Sequence, residues 1–126
     1  MFNPYIVFYN TTLVPKRFHA YSYGPIIFIA PMHKNNYPLE VHEATHSHQF
    51  WRTFGLHGIF YMISKEYRFK AEVEAYGNQI IQRMKEGLDP DYQKYAKFLA
   101  VSYNVGKSIS DCQSALYGYV QTNIGK

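Results

Sequence analysis

Cysteine is nearly absent: Cys112 is the one cysteine in 126 residues. An intrachain disulfide is therefore excluded, and nothing marks the chain as built for an oxidising space. With no histidine near it in sequence and no motif around it, Cys112 reads as a small buried hydrophobe, not a nucleophile. Runs of like charge are absent too. The 13 Lys and Arg are scattered, so a net charge of +4 and a pI near 9.1 do not make a nucleic-acid-binding stripe. They suit a mild attraction to an acidic substrate or an anionic surface. Uninterrupted apolar runs, such as residues 26–32, fall far below the roughly 20 residues that span a bilayer. The first ten residues show no basic region ahead of an apolar stretch, so no signal peptide is expected and the chain reads as soluble. Repeats, low-complexity tracts and linkers are also missing.

What remains is a globular composition, 47% hydrophobic and 17% charged, expected to form one domain over residues 1–126. Aromatics reach 18%, with 13 tyrosines, enough to furnish both a core and an aromatic-lined groove or interface. Strand signals come first. Residues 5–9 (YIVFY) are β-branched and aromatic, residues 17–23 alternate, and residues 26–30 (IIFIA) read as a buried strand after a Gly24-Pro25 turn. Residues 10–16, with Pro15, read as a loop. Helical stretches follow: about 38–54 with Gly55 as a stop, 64–86 ending at Gly87, a third to about Tyr103 opened by Asp89-Pro90, and a fourth to about Gln121 capped by Ser108 and Asp111. Residues 59–63 either open the second helix or form a short one. The expectation is an α+β fold, a small N-terminal sheet followed by about four helices.

The densest information lies in His42-Glu43-Ala44-Thr45-His46. Histidines four apart lie about 40° from each other around a helix, so both imidazoles reach one metal ion. The glutamate between them points beside that ion, where it can take a proton from a metal-activated water. Such a pentapeptide recurs by chance, so its flanks decide. Asn36-Tyr37-Pro38 suits a helix start, and no Pro or Gly interrupts residues 39–54.

Catalytic zinc takes three protein ligands and keeps an open position. His48 projects to the other side of the helix and cannot be the third. His19, His33 and His57 lie off the helix and remain candidates. The stronger candidate lies in residues 70–76. Glu72 and Glu74 sit on nearly opposite sides of a helix, so at most one faces the metal. Glu72 shares its side with Phe69, Val73, Tyr76 and Ile80, an apolar face on which a carboxylate is costly unless paired or metal-bound. Glu74 shares its side with Lys70, Gly77 and Asn78, and Lys70 is spaced to pair with it in water. Glu72 is therefore the expected ligand and Glu74 a solvated charge.

His42-Glu43-x-x-His46 is the zincin signature. Followed 26 residues later by Glu72-Val73-Glu74-Ala75, it resembles the gluzincins, zinc peptidases whose third ligand is a glutamate on a later helix. The closest pattern is Glu-x-Glu-Ala-Asp, whose first Glu binds zinc and whose Asp orients a ligand histidine. This chain has Tyr76 in the Asp position, so that carboxylate is missing and only a hydroxyl is offered in its place. The resemblance covers residues 25–79, about half the chain, and is to the compact gluzincin-type domains of bacterial and bacteriophage proteins. It implies a zincin-like minimal metallopeptidase with one Zn2+ per chain, cytoplasmic or virion-associated. It also implies that a strand ahead of the motif helix, residues 26–30 or 17–23, edges the cleft and binds extended substrate.

The expected chemistry is amide hydrolysis of a protein or of peptidoglycan cross-links. Zinc on His42, His46 and Glu72 would acidify a water, and Glu43 would take its proton and return it to the leaving amine. His57, Tyr61, Tyr67 and Tyr76 are candidate donors to the oxyanion, with a turn between Gly55 and Gly58 the plainer role for His57. Gln49 and Thr53, on the ligand face, suit supporting contacts. No nucleic acid or membrane is expected as a partner. A protein partner that completes a small cleft is. The competing expectation is a non-catalytic zinc-binding module used in assembly, for example in a phage particle, marked by a fourth protein ligand such as His19 or His33.

Overall fold

The computed structural model describes residues 4–9, 14 and 18–126. Three strands, β1 (Ile6–Tyr9), β2 (Ala20–Tyr23) and β3 (Ile26–Ile29), precede a 3-10 turn at Pro31–His33. Five helices follow: α1 (Tyr37–Arg52), α2 (His57–Ile63), α3 (Lys65–Lys85), α4 (Tyr92–Ser102) and α5 (Ile109–Asn123). The architecture is α+β and mostly helical. Arg17 and nearly all of the expected 10–16 loop lie outside the described residues, and the second strand begins at Ala20.

The sheet runs β1-β3-β2, with β3 parallel to β1 and antiparallel to β2. The apolar run at residues 26–30 predicts burial on both faces. Instead Ile27 and Ile29 are fully buried while Ile26 is 40% exposed, because only one face of this small sheet is covered. That face packs Ala20, Ile27 and Ile29 against Leu39 and Ala44 of α1. Gly24 makes the tight β2–β3 turn at φ +62, and an added Cβ there would lie 3.1 Å from the Phe50 ring. The turn is pinned to α1 by the Ser47 hydroxyl, which donates to the Gly24 carbonyl at 2.6 Å.

Helix ends follow local chemistry. Asn36 caps α1 by accepting from the Leu39 amide, and Gly55 (φ +86) closes its far end. Ser64 separates α2 from α3, accepting from the Tyr67 amide, and Gly87 (φ +77) terminates α3. Ser108 caps α5 through the Asp111 amide. Asp89 does not cap α4 as expected. It accepts from the Asp91 amide in a local turn, and Asp91, left-handed at φ 57, is the residue from which the helix starts. The main core joins α3, α4 and α5 around Ile80, Leu99, Leu116, Val120 and Cys112, the last fully buried as an ordinary small hydrophobe. The site lies on the other side of α3, in its seam with α1.

Candidate metal centre

α1 presents His42 and His46 one turn apart, and α3 presents Glu72 across the seam. Side-chain ligand atoms of the three all lie within 4.8 Å of one another, and no other such group occurs among the described residues. His42 Nε2 is 3.4 Å from Glu72 Oε1, and His46 Nε2 is 3.1 Å from Glu72 Oε2. Donor atoms held about 2.0–2.1 Å from a tetrahedral zinc are about 3.3 Å apart, which these two histidine–carboxylate separations match. Burial fits as well. Glu72 is 1% exposed, and its Oε1 accepts no hydrogen bond from any described residue, a state that costs free energy unless a cation shares the site.

Two neighbours fix the orientation of the candidate ligands. Tyr61, on α2, donates its hydroxyl to Glu72 Oε2 at 2.6 Å and leaves Oε1 without a hydrogen bond among the described residues. Gln49, one turn beyond His46, donates through Nε2 to the Ala71 carbonyl at 2.9 Å and to Glu74 at 3.0 Å. Its Oε1 is thereby turned toward His46 Nδ1, 2.9 Å away. That contact puts the proton on Nδ1 and keeps Nε2 as the ligating atom. The Tyr76 ring packs edge-on to His42 at 4.2 Å between centroids, while its hydroxyl pairs with Tyr103 at 2.9 Å. Tyr76 thus holds His42 by its ring and not by its hydroxyl.

Charge follows geometry. Burial lowers the His46 pKa, but the Glu72 carboxylate outweighs it and holds the imidazole up at about 9. Glu72 itself, despite burial, is lowered by His46 and His42. A cation entering here takes the place of a proton. Glu43 is 6% exposed and accepts no hydrogen bond among the described residues; burial raises its pKa, with Glu72 adding to the effect and the two histidines opposing it. A raised carboxylate pKa brings a base nearer to working pH.

These residues border a cleft of about 370 Å³, within the usual range for small-ligand sites. β2, the Gly24 turn and α2 form its other walls. β3 is paired on both sides, which rules it out as the substrate edge; β2 is the strand at the cleft. His57 is the first residue of α2, not a turn residue, and lines the cleft. Its Nδ1 contacts the Tyr67 hydroxyl at 2.7 Å, and burial, followed by the nearby His46, lowers its pKa to about 4. Of the four candidate oxyanion donors, Tyr61 is engaged with Glu72, Tyr76 with Tyr103 and Tyr67 with His57. Among the described residues, His57 meets the Tyr67 hydroxyl through Nδ1 and has no hydrogen bond at Nε2, beside the cleft.

His19 and His33 pack ring against ring, tilted at 50° with centroids 4.2 Å apart, and stand outside the three-residue group, as does His48. Glu74 is not the solvated partner of Lys70. It is half-buried and takes two bonds from the Arg52 guanidinium, at 2.7 and 3.2 Å, besides the Gln49 amide. The reason is the α1–α3 packing, which brings the end of α1 over Glu74 while Lys70 stays in solvent. No protein-family model, curated protein or solved structure matches this chain.

Proposed function

We propose that the chain is a zinc-dependent hydrolase of amide bonds in proteins or peptidoglycan, built as a minimal zincin-like domain of gluzincin type. The observation that carries this is the convergence of two histidines and one carboxylate in a buried seam, with a further carboxylate, Glu43, open to the adjoining cleft. Three protein donors leave one position for water or substrate, the arrangement of catalytic rather than structural zinc. Bound there, zinc would supply Lewis acidity, acidifying water and polarising a carbonyl.

The chain's own groups would do the rest. Glu43 takes the proton of the attacking water and delivers it to the departing nitrogen. His57, neutral at pH 7 and turned by Tyr67, donates from Nε2 to the oxygen on which charge develops. Tyr61 and Gln49 keep Glu72 and His46 aimed. β2 offers the wall along which an extended substrate lies.

Elemental analysis of the native protein, Glu72→Ala and Glu43→Gln tests this, together with cleavage of a peptide pool and of peptidoglycan. One zinc per native chain, lost in Glu72→Ala and kept in Glu43→Gln, with hydrolysis lost in both, is the expected result. Zinc without hydrolysis in the native protein would favour the assembly-module reading. No zinc, even when it is supplied, would overturn the hydrolase reading and leave a module that keeps only the fold.

A further inference from the structure

We propose that a second cavity beside Glu43 receives the C-terminal residue of a peptide substrate and holds its free carboxylate at Lys94. The inference rests on the hydrolase reading and names its substrate class. The cavity measures about 160 Å³, and His42 and Glu43 line both it and the main cleft, so the two spaces meet at the general base. On that measure one water molecule needs only about 10–15 Å³, so the cavity has ample room for one amino-acid residue.

Its polar groups are specific in kind. Lys94 stands exposed at the lining, and no described carboxylate lies within ion-pair distance of it. His33 and Gln79 also line the cavity. Each buries a polar atom, Nε2 and Oε1 respectively, with no hydrogen-bond partner among the described residues, and Gln79 is 5% exposed. Gln79 Nε2 faces the Tyr95 hydroxyl at 3.4 Å, which directs Oε1 elsewhere. The cavity thus offers a cation and a ring nitrogen able to donate to an anion, and a buried carbonyl in need of an N–H. Aside from Glu43, it has no acid to repel an anion. The last residue of a peptide carries this complement: a carboxylate and a backbone N–H, with a side chain suited to the aromatic wall of Tyr95 and Phe98.

Seated there, the residue's own nitrogen is the leaving group. The water's hydroxyl joins the acyl carbon as the C–N bond breaks. The proton passes through Glu43 to that nitrogen, and one free amino acid is released per turnover.

The test uses zinc-loaded Glu43→Gln, titrated calorimetrically with N-acetyl-Ala-Ala-Phe and N-acetyl-Ala-Ala-Leu as free acids and as C-terminal amides. The acids are expected to bind about tenfold more tightly, a difference in keeping with a charge-assisted bond. Adding Lys94→Gln should bring them to the level of the amides, whereas Lys97→Gln, exposed on the same helix, should leave the difference intact. Equal affinity for acid and amide, a preference that survives Lys94→Gln, or no binding of either form overturns the proposal. Turnover of the same acids by the native enzyme is read separately. Acid-selective binding abolished by Lys94→Gln, but without hydrolysis, supports the cavity's role and counts against the hydrolase reading alone.

Discussion

The two oxygens of Glu72 differ in their surroundings: Tyr61 and His46 meet Oε2, while Oε1 has His42 at 3.4 Å and no hydrogen bond among the described residues. Removing the Tyr61 hydroxyl while keeping its ring should free the carboxylate to rotate. Tyr61→Phe is expected to weaken zinc binding by about 10- to 100-fold, the usual effect of losing such an outer partner. Competition with a chromophoric chelator would measure it, and an unchanged affinity would deny Tyr61 this role. That Glu72 rather than Glu74 faces His42 and His46 was legible from helical angles and from the cost of an unpaired acid on the Phe69–Tyr76–Ile80 side. The partners of Glu74 were not legible. Arg52 reaches it across 22 residues of sequence, and periodicity within one helix carries no information about the register between two. Tyr61 was visible only as a candidate for another task, because its reach to Glu72 depends on the break at Ser64 that folds α2 back on α3.

At the scale of elements, α3 is clamped on both sides. The side bearing Gly77 and Asn78 reads as polar and solvated, yet Tyr119 of α5 lies over it. An added Cβ at Gly77 would sit 2.2 Å from that ring. Asn78 accepts from the Tyr119 hydroxyl at 2.8 Å and donates to Thr45 of α1 at 3.0 Å, so one amide ties three helices together. Gly77→Ala removes a helix-weakening glycine, which alone would stabilise by about 1 kcal/mol. Overpacking against the ring should outweigh this and leave a net loss of roughly 1–2 kcal/mol. Denaturant midpoints would show it, and Tyr119→Ala in the same chain should cancel the loss, a coupling that only contact explains. A stabilised Gly77→Ala would mean that the ring moves aside freely. Here the sequence speaks clearly about ends and poorly about faces. Asn36, Ser64, Gly87 and Ser108 mark helix boundaries by local chemistry, whereas small residues such as Gly77 look alike whether water or a tyrosine covers them.

For the whole molecule, the site is a joint between two halves of the fold. α1 belongs with the sheet, α3 with the α4–α5 core, and the ligands come from both. Within the second half, Arg68 of α3 donates to the carbonyls of Tyr61, Tyr103 and Asn104 and so holds α2 and the end of α4 to α3. A metal that binds only when both halves are assembled stabilises the folded state by mass action, about 2.7 kcal/mol at a hundred times its Kd. With about 2.1 cal/mol/K of unfolding entropy per residue, a chain of 126 residues should then melt roughly 10 °C higher. Calorimetry with and without zinc should show that rise in the native protein and in Glu43→Gln, and none in Glu72→Ala. Arg68→Ala should melt lower in both conditions yet keep most of the rise, because it loosens the assembly without touching a ligand. A native protein that binds one zinc but melts at the same temperature would place the ion outside the α1–α3 seam, since only a site made by folding converts binding energy into stability.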